Sequence, residues 1–388
     1  MSSFALAGAR IFDGHGWLTG HALVIEGGKI VDLVPEGSLA AGRTVRRAAG
    51  SMIVPGFIDL QVNGGGGVMF DGASGIEGIG TICRAHARFG TTGLLPTLIT
   101  DTPGSTAAAV AAGIAAARAH VPGFLGLHLE GPHLSVARKG AHDPALIRPM
   151  SDADLARLIE AARQLPVLMT TLAPESVSPE QVRALVAGGV RVSLGHTDTD
   201  CRTGLAYAEA GASMVTHLFN AMSPLGHREP GLVGAALESG ALWVGLIADG
   251  VHVDPVAIRA ALKAKTGPAR IFAVTDAMST IGTDVASFTL NGRTIFRKDG
   301  RLTLEDGTLA GADIDMVSTV AYLHRVVGLP LDEALRMAAL YPAQAVGLEA
   351  SKGRLAAGMD ADFVELTDGL DVAATWIGGQ AVFEASAA

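Results

Sequence analysis

The sequence predicts an α/β protein. Apolar runs alternate with alanine-rich amphipathic stretches through the middle of the 388-residue chain, in about eight successive pairs. Near-continuous apolar strands that alternate with helices are typical of a parallel sheet covered on both faces. Both ends of the chain instead show short alternating strands with tight turns. We therefore expect a (β/α)8 barrel of the TIM type, with a small β-sandwich domain formed by the N- and C-terminal segments.

The predicted small domain comprises residues 1–53 and 354–388. Its predicted strands are 5–12, 21–26 and 29–34 near the start of the chain, and 361–366, 373–377 and 381–384 near its end. Gly27-Gly28 and Gly378-Gly379 have the composition of hairpin turns. Two β-rich ends that flank a different middle predict a single domain built from both.

The predicted barrel occupies residues 54–353. The apolar runs that predict its strands, the first of which begins just before it, are 52–62, 94–99, 124–130, 167–172, 190–196, 214–217, 242–249 and 271–276. The predicted helices are 76–89, 106–120, 152–164, 179–187, 200–209, 233–239, 255–265 and 314–327.

A β-meander is predicted as an insertion after the eighth barrel strand, at about 285–310. Its short strands cover 288–290, 294–297 and 301–304, and Asn291-Gly292 and Asp299-Gly300 join them as hairpin turns. A long insertion in a loop that follows a barrel strand lies over the active face of a barrel.

Composition excludes several classes of function. The net charge of −9 and the pI near 5.7 argue against nucleic acid or an anionic membrane as the main partner. The two cysteines, Cys83 and Cys201, provide neither a disulfide framework nor a thiolate zinc cluster. The chain does not begin with a cationic segment followed by an apolar one, so we expect a cytoplasmic protein.

Polar residues end several of the predicted barrel strands. Glu130 ends the third strand, His196 the fifth, His217 the sixth, Asp249 the seventh and Asp276 the eighth. Taken singly, such a carboxylate is more often a solvated rim residue, and such a histidine is more often structural. In a parallel barrel, however, the C-terminal ends of all strands meet at one mouth. The coincidence therefore predicts a functional site.

The residue types at these strand ends predict a metal centre. Glu130, His196 and His217 form the two-histidine, one-carboxylate set of a catalytic zinc site with a position left open. Iron(II) or another divalent ion accepts the same ligands, so the metal is not identified by the ligand set. Asp276 is expected to act as general base and acid on a water molecule, and its alternative role is that of a fourth ligand or an orienting partner.

Two loops at the same mouth carry candidate anion-binding residues. Arg228 follows the sixth strand and His252 follows the seventh. Both side chains suit a phosphate group. The alternative for each is an ordinary salt bridge within its loop.

Several segments together resemble the N-acetylglucosamine-6-phosphate deacetylases of the amidohydrolase superfamily. The similarity runs in order along nearly the whole chain, down to LYPA at 340–343. PGFID marks only the superfamily, whereas HLEGP and HLFNAM with REPG are highly specific. The segments are PGFID at 55–59, HLEGP at 128–132, GH at 195–196, THLFNAM at 216–222, REPG at 228–231, ADGVH at 248–252 and VTDA at 274–277.

The resemblance implies the hydrolysis of N-acetylglucosamine 6-phosphate to glucosamine 6-phosphate and acetate. It implies that Glu130, His196 and His217 hold the metal, that Asp276 is the general base and acid, and that His142 polarises the acetyl carbonyl. It also implies a homodimer in which Arg228 reaches the neighbouring active site. The implied substrate contacts are Ala141, Asn220, Ala221, Arg228, His252, Leu309, Ala310 and Gly311.

One departure from the superfamily concerns the metal count. Most amidohydrolases have His-x-His at the end of the first strand, where this chain has Gln61 and Asn63. Because neutral amides are poor ligands beside imidazole, we expect one divalent metal per subunit, with zinc as the first expectation. The alternative activities are deacetylation of N-acetylgalactosamine 6-phosphate, another amidohydrolase reaction such as opening of a cyclic amide, and a sugar-phosphate sensor without catalysis.

Overall fold

The computed structural model describes residues 3–290 and 292–386, and the predicted barrel is present in it. Eight strands lie side by side in chain order, and every neighbouring pair is parallel. The barrel strands are Phe57–Val62, Thr91–Ile99, Leu127–Glu130, Leu168–Leu172, Arg191–Leu194, Met214–Val215, Trp243–Ile247 and Ile271–Val274.

The first and eighth strands meet at a seam that nearly closes the barrel. A single parallel bridge joins Val62 to Ala277, just beyond the ends of the regular ladders. Two backbone hydrogen bonds flank it, from the Asp276 N–H to the Gln61 carbonyl at 3.0 Å and from the Asn63 N–H to the Ala277 carbonyl at 2.8 Å. The hydrogen bonds that close the seam therefore lie at the mouth of the barrel, next to Asp276.

The helices pack around the barrel and follow local capping signals. Ser151 and Ser178 each form a capping box with the third residue of the helix they precede. Within residues 3–290 and 292–386, none of the helices has the length and apolar character needed to cross a membrane. The helices are Gly75–Ala87, Pro103–Arg118, Asp152–Ala162, Pro179–Ala187, Cys201–Glu209, Gly231–Glu238, Pro255–Ala264, Met316–Tyr322, Leu331–Ala338 and Leu340–Val346, with short 3₁₀ turns at Glu36–Ser38 and Val136–Arg138.

The helical segment near the end of the barrel differs from the prediction. The helix expected over 314–327 begins at Met316 and becomes a π-helix at Leu323–Val327. Two further helices, Leu331–Ala338 and Leu340–Val346, were not predicted. Each spans only about two turns, which is too short for a clear helical period in the sequence.

The terminal segments form two β-sheets that share a core. The first contains strands Ser3–Ala7, His21–Glu26, Lys29–Pro35 and Val45–Arg47; the second contains Arg10–Phe12, Trp17–Leu18, Met52–Pro55, Phe363–Leu366, Val372–Ile377 and Gln380–Glu384. Phe4 and Leu23 of the first sheet are buried in one cluster with Phe363 and Trp376 of the second. The sandwich formed from both ends of the chain is thereby explained by a shared apolar interior.

The apolar run predicted as one strand over 52–62 is divided between two sheets. Met52–Pro55 pairs with strands of the terminal segments, whereas Phe57–Val62 enters the barrel. Gly56 lies between them, and a Cβ atom there would come within 2.1 Å of the Thr92 hydroxyl oxygen. Only glycine allows this close approach, so the chain passes from one sheet to the other at this residue.

The predicted β-meander is present and has a fourth strand. Its strands are Ser287–Leu290, Arg293–Lys298, Arg301–Thr303 and Leu309–Ala312. The Asp299-Gly300 turn has the predicted positive φ at both positions, 51° and 70°. Asn291 of the other turn lies outside the described residues. The fourth strand was not predicted because its Leu-Ala-Gly-Ala sequence has little β-propensity of its own.

Candidate active site

A cavity of about 260 Å³ opens at the C-terminal mouth of the barrel. It is lined by five predicted metal-ligating or catalytic residues, namely Glu130, His142, His196, His217 and Asp276. The predicted substrate contacts that also line it are Ala141, Asn220, Ala221, His252, Leu309 and Gly311. The structure thus brings together residues at the ends of five barrel strands, or in the loops that follow them, and residues of the meander.

Three of the site residues lie just beyond a strand rather than at its end. The prediction that His196, His217 and Asp276 end their strands was wrong by two residues in each case. All three adopt left-handed backbone conformations, with φ of 49°, 31° and 54°. Such conformations are uncommon outside glycine and are tolerated when the surrounding structure holds them, often at functional sites.

Glu130, His196 and His217 form a compact donor cluster. The Glu130 Oε1 atom lies 3.2 Å from the Nε2 atom of each histidine, and the two Nε2 atoms are 3.1 Å apart. The three side chains are almost fully buried. These separations are close to those of ligands bound about 2.0–2.2 Å from one ion.

The hydrogen bonding of His196 supports a cation at this cluster. Its Nδ1 atom lies 2.9 Å from the Arg138 carbonyl oxygen and donates to it, so in the neutral imidazole Nε2 carries a lone pair. That lone pair faces the Glu130 carboxylate, which is also an acceptor. Two acceptors directed at each other fit a positive ion between them.

The electrostatics of the cluster keep its carboxylate ionised. Burial raises the pKa of Glu130, but the His196 and His217 imidazoles beside its Oε1 atom outweigh burial and hold that pKa well below its usual value. Burial lowers the pKa of His217, but the adjacent Glu130 carboxylate outweighs burial, so the pKa of His217 is raised. An ionised carboxylate is the form that binds a metal ion.

His142 presents a donor to the cavity. Its Nδ1 atom accepts a hydrogen bond from the Thr100 N–H at 3.3 Å and lies 2.8 Å from the Thr100 hydroxyl oxygen. The neutral ring therefore carries its proton on Nε2. Burial, followed by the nearby His196, lowers the pKa of His142 to about 3, which keeps the ring neutral.

A second donor set overlaps with the first. Ligand atoms of Glu130, His142 and His196 all lie within 4.8 Å of one another. The set with His217 is tighter, at 3.1–3.2 Å, and His142 offers an N–H group rather than a lone pair. The geometry therefore favours His217 over His142 as the third ligand of a candidate metal site.

Gln61 and Asn63 hold the two carboxylates of the site. The Gln61 Nε2 group donates to Glu130 Oε1 at 3.1 Å, and the Asn63 Nδ2 group donates to Asp276 Oδ1 at 2.6 Å. Burial and then the negative charge of Glu130 raise the pKa of Asp276 to about 6. The amides at the end of the first strand therefore act as hydrogen-bond donors in this structure.

The residues predicted to bind the sugar phosphate have different environments. The Nδ1 group of His252 donates to Asp249 Oδ2 at 2.6 Å, which fixes the ring at the cavity wall. Ala310 is fully buried in the core of the meander, between the cavity-lining Leu309 and Gly311. Arg228 is exposed and does not line the cavity of its own chain.

Sequence reasoning missed several residues that line the cavity or position a residue that does. Thr100, which positions His142, directly follows the second barrel strand. A polar residue at a strand end is the signal that predicted the other site residues, and it could also have identified Thr100. Met278, Leu290 and Thr308 are apolar or small residues that line the wall beside the meander. No pattern in the sequence distinguishes them from ordinary core residues.

Comparison with known proteins places these features in a family. Residues 52–382 match the amidohydrolase family, and residues 3–53 match the NagA composite domain. The chain is 44% identical to the N-acetylgalactosamine-6-phosphate deacetylase of Shewanella sp. (strain ANA-3), over 88% of this chain and 86% of that protein. It is 40% identical to the N-acetylglucosamine-6-phosphate deacetylase of Homo sapiens, over 98% and 95%.

A solved structure shows the same arrangement of the whole chain. The crystal structure of N-acetylglucosamine-6-phosphate deacetylase from Pasteurella multocida superposes with a TM-score of 0.94 at 35% identity, covering 98% of this chain and 99% of that one. The barrel and the terminal sheets are therefore common to both proteins.

Proposed function

The chain belongs to the amidohydrolase family, and we propose that it hydrolyses the acetamide of N-acetylglucosamine 6-phosphate to glucosamine 6-phosphate and acetate. The observation that carries the proposal is the cluster of Glu130, His196 and His217 beside Asp276 and His142 in one cavity. The relatives that span nearly the whole chain are named for deacetylation of an amino-sugar phosphate.

Each catalytic side chain has a distinct task in the proposed reaction. A divalent metal ion held by Glu130, His196 and His217 would increase the acidity of water and polarise the acetyl carbonyl. Asp276 takes a proton from water as the water attacks the carbonyl carbon. Asn63 donates to the Oδ1 atom of Asp276, so the Oδ2 atom of Asp276 can accept this proton. Asp276 then gives that proton to the amine nitrogen as the C–N bond breaks. The Nε2–H group of His142 stabilises the negative charge that develops on the carbonyl oxygen.

We propose one metal ion per subunit, with zinc as the first expectation and iron(II) or another divalent ion as alternatives. Gln61 and Asn63 direct N–H groups at the two carboxylates, which supports their role as donors rather than ligands of a second ion. Metal analysis of the active protein tests this proposal. Two tightly held ions per chain would contradict it.

We propose that the sugar phosphate lies toward the loops after the sixth and seventh strands. Asn220, Ala221 and His252 line that side of the cavity, and Ala141, Leu309 and Gly311 would contact the sugar from the opposite side. A charged sugar phosphate does not cross a lipid bilayer unaided, so we also propose that the protein works in the cytoplasm.

Arg228 supports the proposal of a homodimer. Its side chain is exposed, and among the described residues it forms no ion pair within 4.0 Å. We propose that it completes the phosphate site of a neighbouring subunit. Arg228→Ala and Asp276→Asn variants, each impaired alone, would then partly restore activity when they are refolded together, because one site of the mixed dimer has both residues. Two impaired variants that show no recovery in a mixed dimer would contradict this role.

The decisive test is acetate release measured together with metal content on one sample. N-acetylglucosamine 6-phosphate, its galactosamine epimer and a cyclic ureide should be compared as substrates. The epimer is a specific second candidate because the Shewanella relative, at 44% identity, is named for it. Tight binding of the sugar phosphate without acetate release, in fully metal-loaded protein, would favour a sensor instead.

A further inference from the structure

A buried carboxyl group lies beneath the proposed base. Asp59 belongs to the first barrel strand, and its side chain is fully buried. It accepts hydrogen bonds from the Thr275 hydroxyl at 2.5 Å, the Gln61 N–H at 3.2 Å and the Thr275 N–H at 3.3 Å. Burial raises the pKa of Asp59 to about 7 despite these donors. A carboxyl group in such a place is tolerated because its oxygens are hydrogen-bonded.

Thr275 extends this contact across the turn that contains Asp276. Its hydroxyl donates to Asp59 and also accepts a hydrogen bond from the Ala277 N–H at 3.2 Å. Asp276 lies between these two residues with a φ of 54°. Because a left-handed aspartate is strained, its conformation depends on what holds the residues on either side.

The contact is made at the seam of the barrel. The first and eighth strands share no regular ladder there, apart from the bridge between Val62 and Ala277, within the described part of the chain. At the seam, the Asp59 carboxyl group therefore accepts the hydrogen bond from the Thr275 N–H that a backbone carbonyl of the neighbouring strand accepts elsewhere in the sheet. At the equivalent position before His217, Thr216 is held by the hydroxyl groups of Thr171 and Ser193, each at 2.7 Å.

We propose that Asp59 is a positioning residue for the hydrolysis. Acting through the Thr275 hydroxyl, it holds Asp276 in the turn that places its carboxylate beside Asn63 and the cavity. The proposal rests on the proposed function, in which Asp276 is the general base.

Thr275 allows a matched pair of variants. Thr275→Val keeps the shape of the side chain but removes the hydroxyl group, whereas Thr275→Ser keeps the hydroxyl group. We expect kcat to fall roughly 10- to 100-fold in T275V, with KM and bound metal unchanged, because a small displacement of a catalytic group has an effect of this size. T275S should retain kcat close to that of the wild type.

Asp59→Asn tests the other end of the same contact. It should resemble T275V, and the double variant should be no more impaired than the worse single variant, because both substitutions break one interaction. Thr92→Val is the structural control: Thr92 is a buried barrel threonine whose hydroxyl donates to the Phe57 carbonyl at 3.4 Å, at the opposite end of the barrel. It should lower thermal stability without lowering kcat. A T275V enzyme with wild-type kcat, or a T275S enzyme as impaired as T275V, would overturn the proposal.

Crystal structures of T275V and D59N provide a readout that does not depend on activity. We expect the Asp276 carboxylate to move by about 1 Å from the Asn63 amide, the scale of displacement that impairs catalysis. If Asp276 keeps its 2.6 Å hydrogen bond to Asn63 in either folded variant, the positioning role of Asp59 is wrong. This conclusion does not depend on whether the wild-type protein is active. A wild-type protein that releases no acetate would instead contradict the proposed function alone.

Discussion

The barrel mouth and the terminal sheets both bury charged side chains, but they satisfy them differently. In the terminal region, Lys352 lies 2.5 Å from Asp362 and 2.9 Å from Asp360. Nearby, Glu365 accepts hydrogen bonds from the Trp376 indole and the Ala49 N–H. Every acceptor in this group faces a donor of the same chain.

At the mouth, acceptors face each other. When Nδ1 of His196 donates to the Arg138 carbonyl in the neutral ring, its Nε2 atom is an acceptor directed at the Glu130 carboxylate, and the Nε2 atom of His217 approaches the same oxygen. Burial of charge is costly wherever it occurs, so burial alone does not distinguish structure from function. The difference lies in the partners. Lys352, Asp360, Asp362 and Glu365, the terminal cluster, find their donors and acceptors within the chain, whereas the donor atoms at the mouth fit a cation.

Of the substitutions that test this comparison, Glu130→Gln should have the largest effect on metal binding and activity. We expect the bound metal and the acetate release to fall to near background, because a neutral amide is a poor ligand beside imidazole. Metal content and activity should be measured on the same sample. Glu365→Gln is the matched control in the terminal region, and it should retain full metal content. A fully loaded E130Q protein would contradict the ligand assignment.

Asp276→Asn should lower kcat by about 100- to 10,000-fold, the usual contribution of a general base. Because Asp276 is not one of the three proposed ligands, metal content and thermal stability should stay close to those of the wild type. Steady-state kinetics and elemental analysis check both expectations. An active D276N enzyme would contradict the assignment of Asp276 as the base. Loss of the metal from D276N would instead indicate that Asp276 is a ligand.

Lys352→Met should break the terminal cluster without changing the chemistry. It leaves Asp360 and Asp362 without their shared cation, and we expect the free energy of unfolding to fall by roughly 2–4 kcal/mol. Lys29→Met removes an ion pair whose lysine is half-exposed, and it should cost at most about 1 kcal/mol. Denaturant unfolding measures both values. Equal effects of the two substitutions, or a fall in kcat in K352M, would contradict the comparison.

The pH dependence of kcat/KM tests the ionisation of Asp276 and should show the smallest effect of the four. Burial raises the pKa of Asp276 to about 6, and a bound cation lowers it again. A base must be ionised, so kcat/KM should fall as the pH drops through this pKa, about tenfold per pH unit, with the acid limb at or below pH 6. Rates measured between pH 4 and 9 locate the limb. An acid limb above pH 7 would assign the titration to another group.

The prediction from sequence succeeded where the signal is local. The alternation of apolar strands and helices predicted the barrel, and the polar residues near strand ends predicted Glu130, His196, His217 and Asp276 as neighbours. It failed at Gly56, where one apolar run serves two sheets, and at the fourth meander strand, where partners rather than propensity define the strand. The domain boundaries at 53–54 and 353–354 stay predictions.

Local sequence patterns predict the fold class and the residue types that meet at the mouth, because strand periodicity and motif order are properties of nearby residues. Which atom of each residue faces the cavity depends instead on how the whole chain packs. Three hydrogen bonds join residues far apart in the chain: from His196 Nδ1 to the Arg138 carbonyl, from the Asn63 amide to Asp276, and from the Thr275 hydroxyl to Asp59. Hydrogen-bond direction depends on relative position in space, and a linear sequence does not contain it.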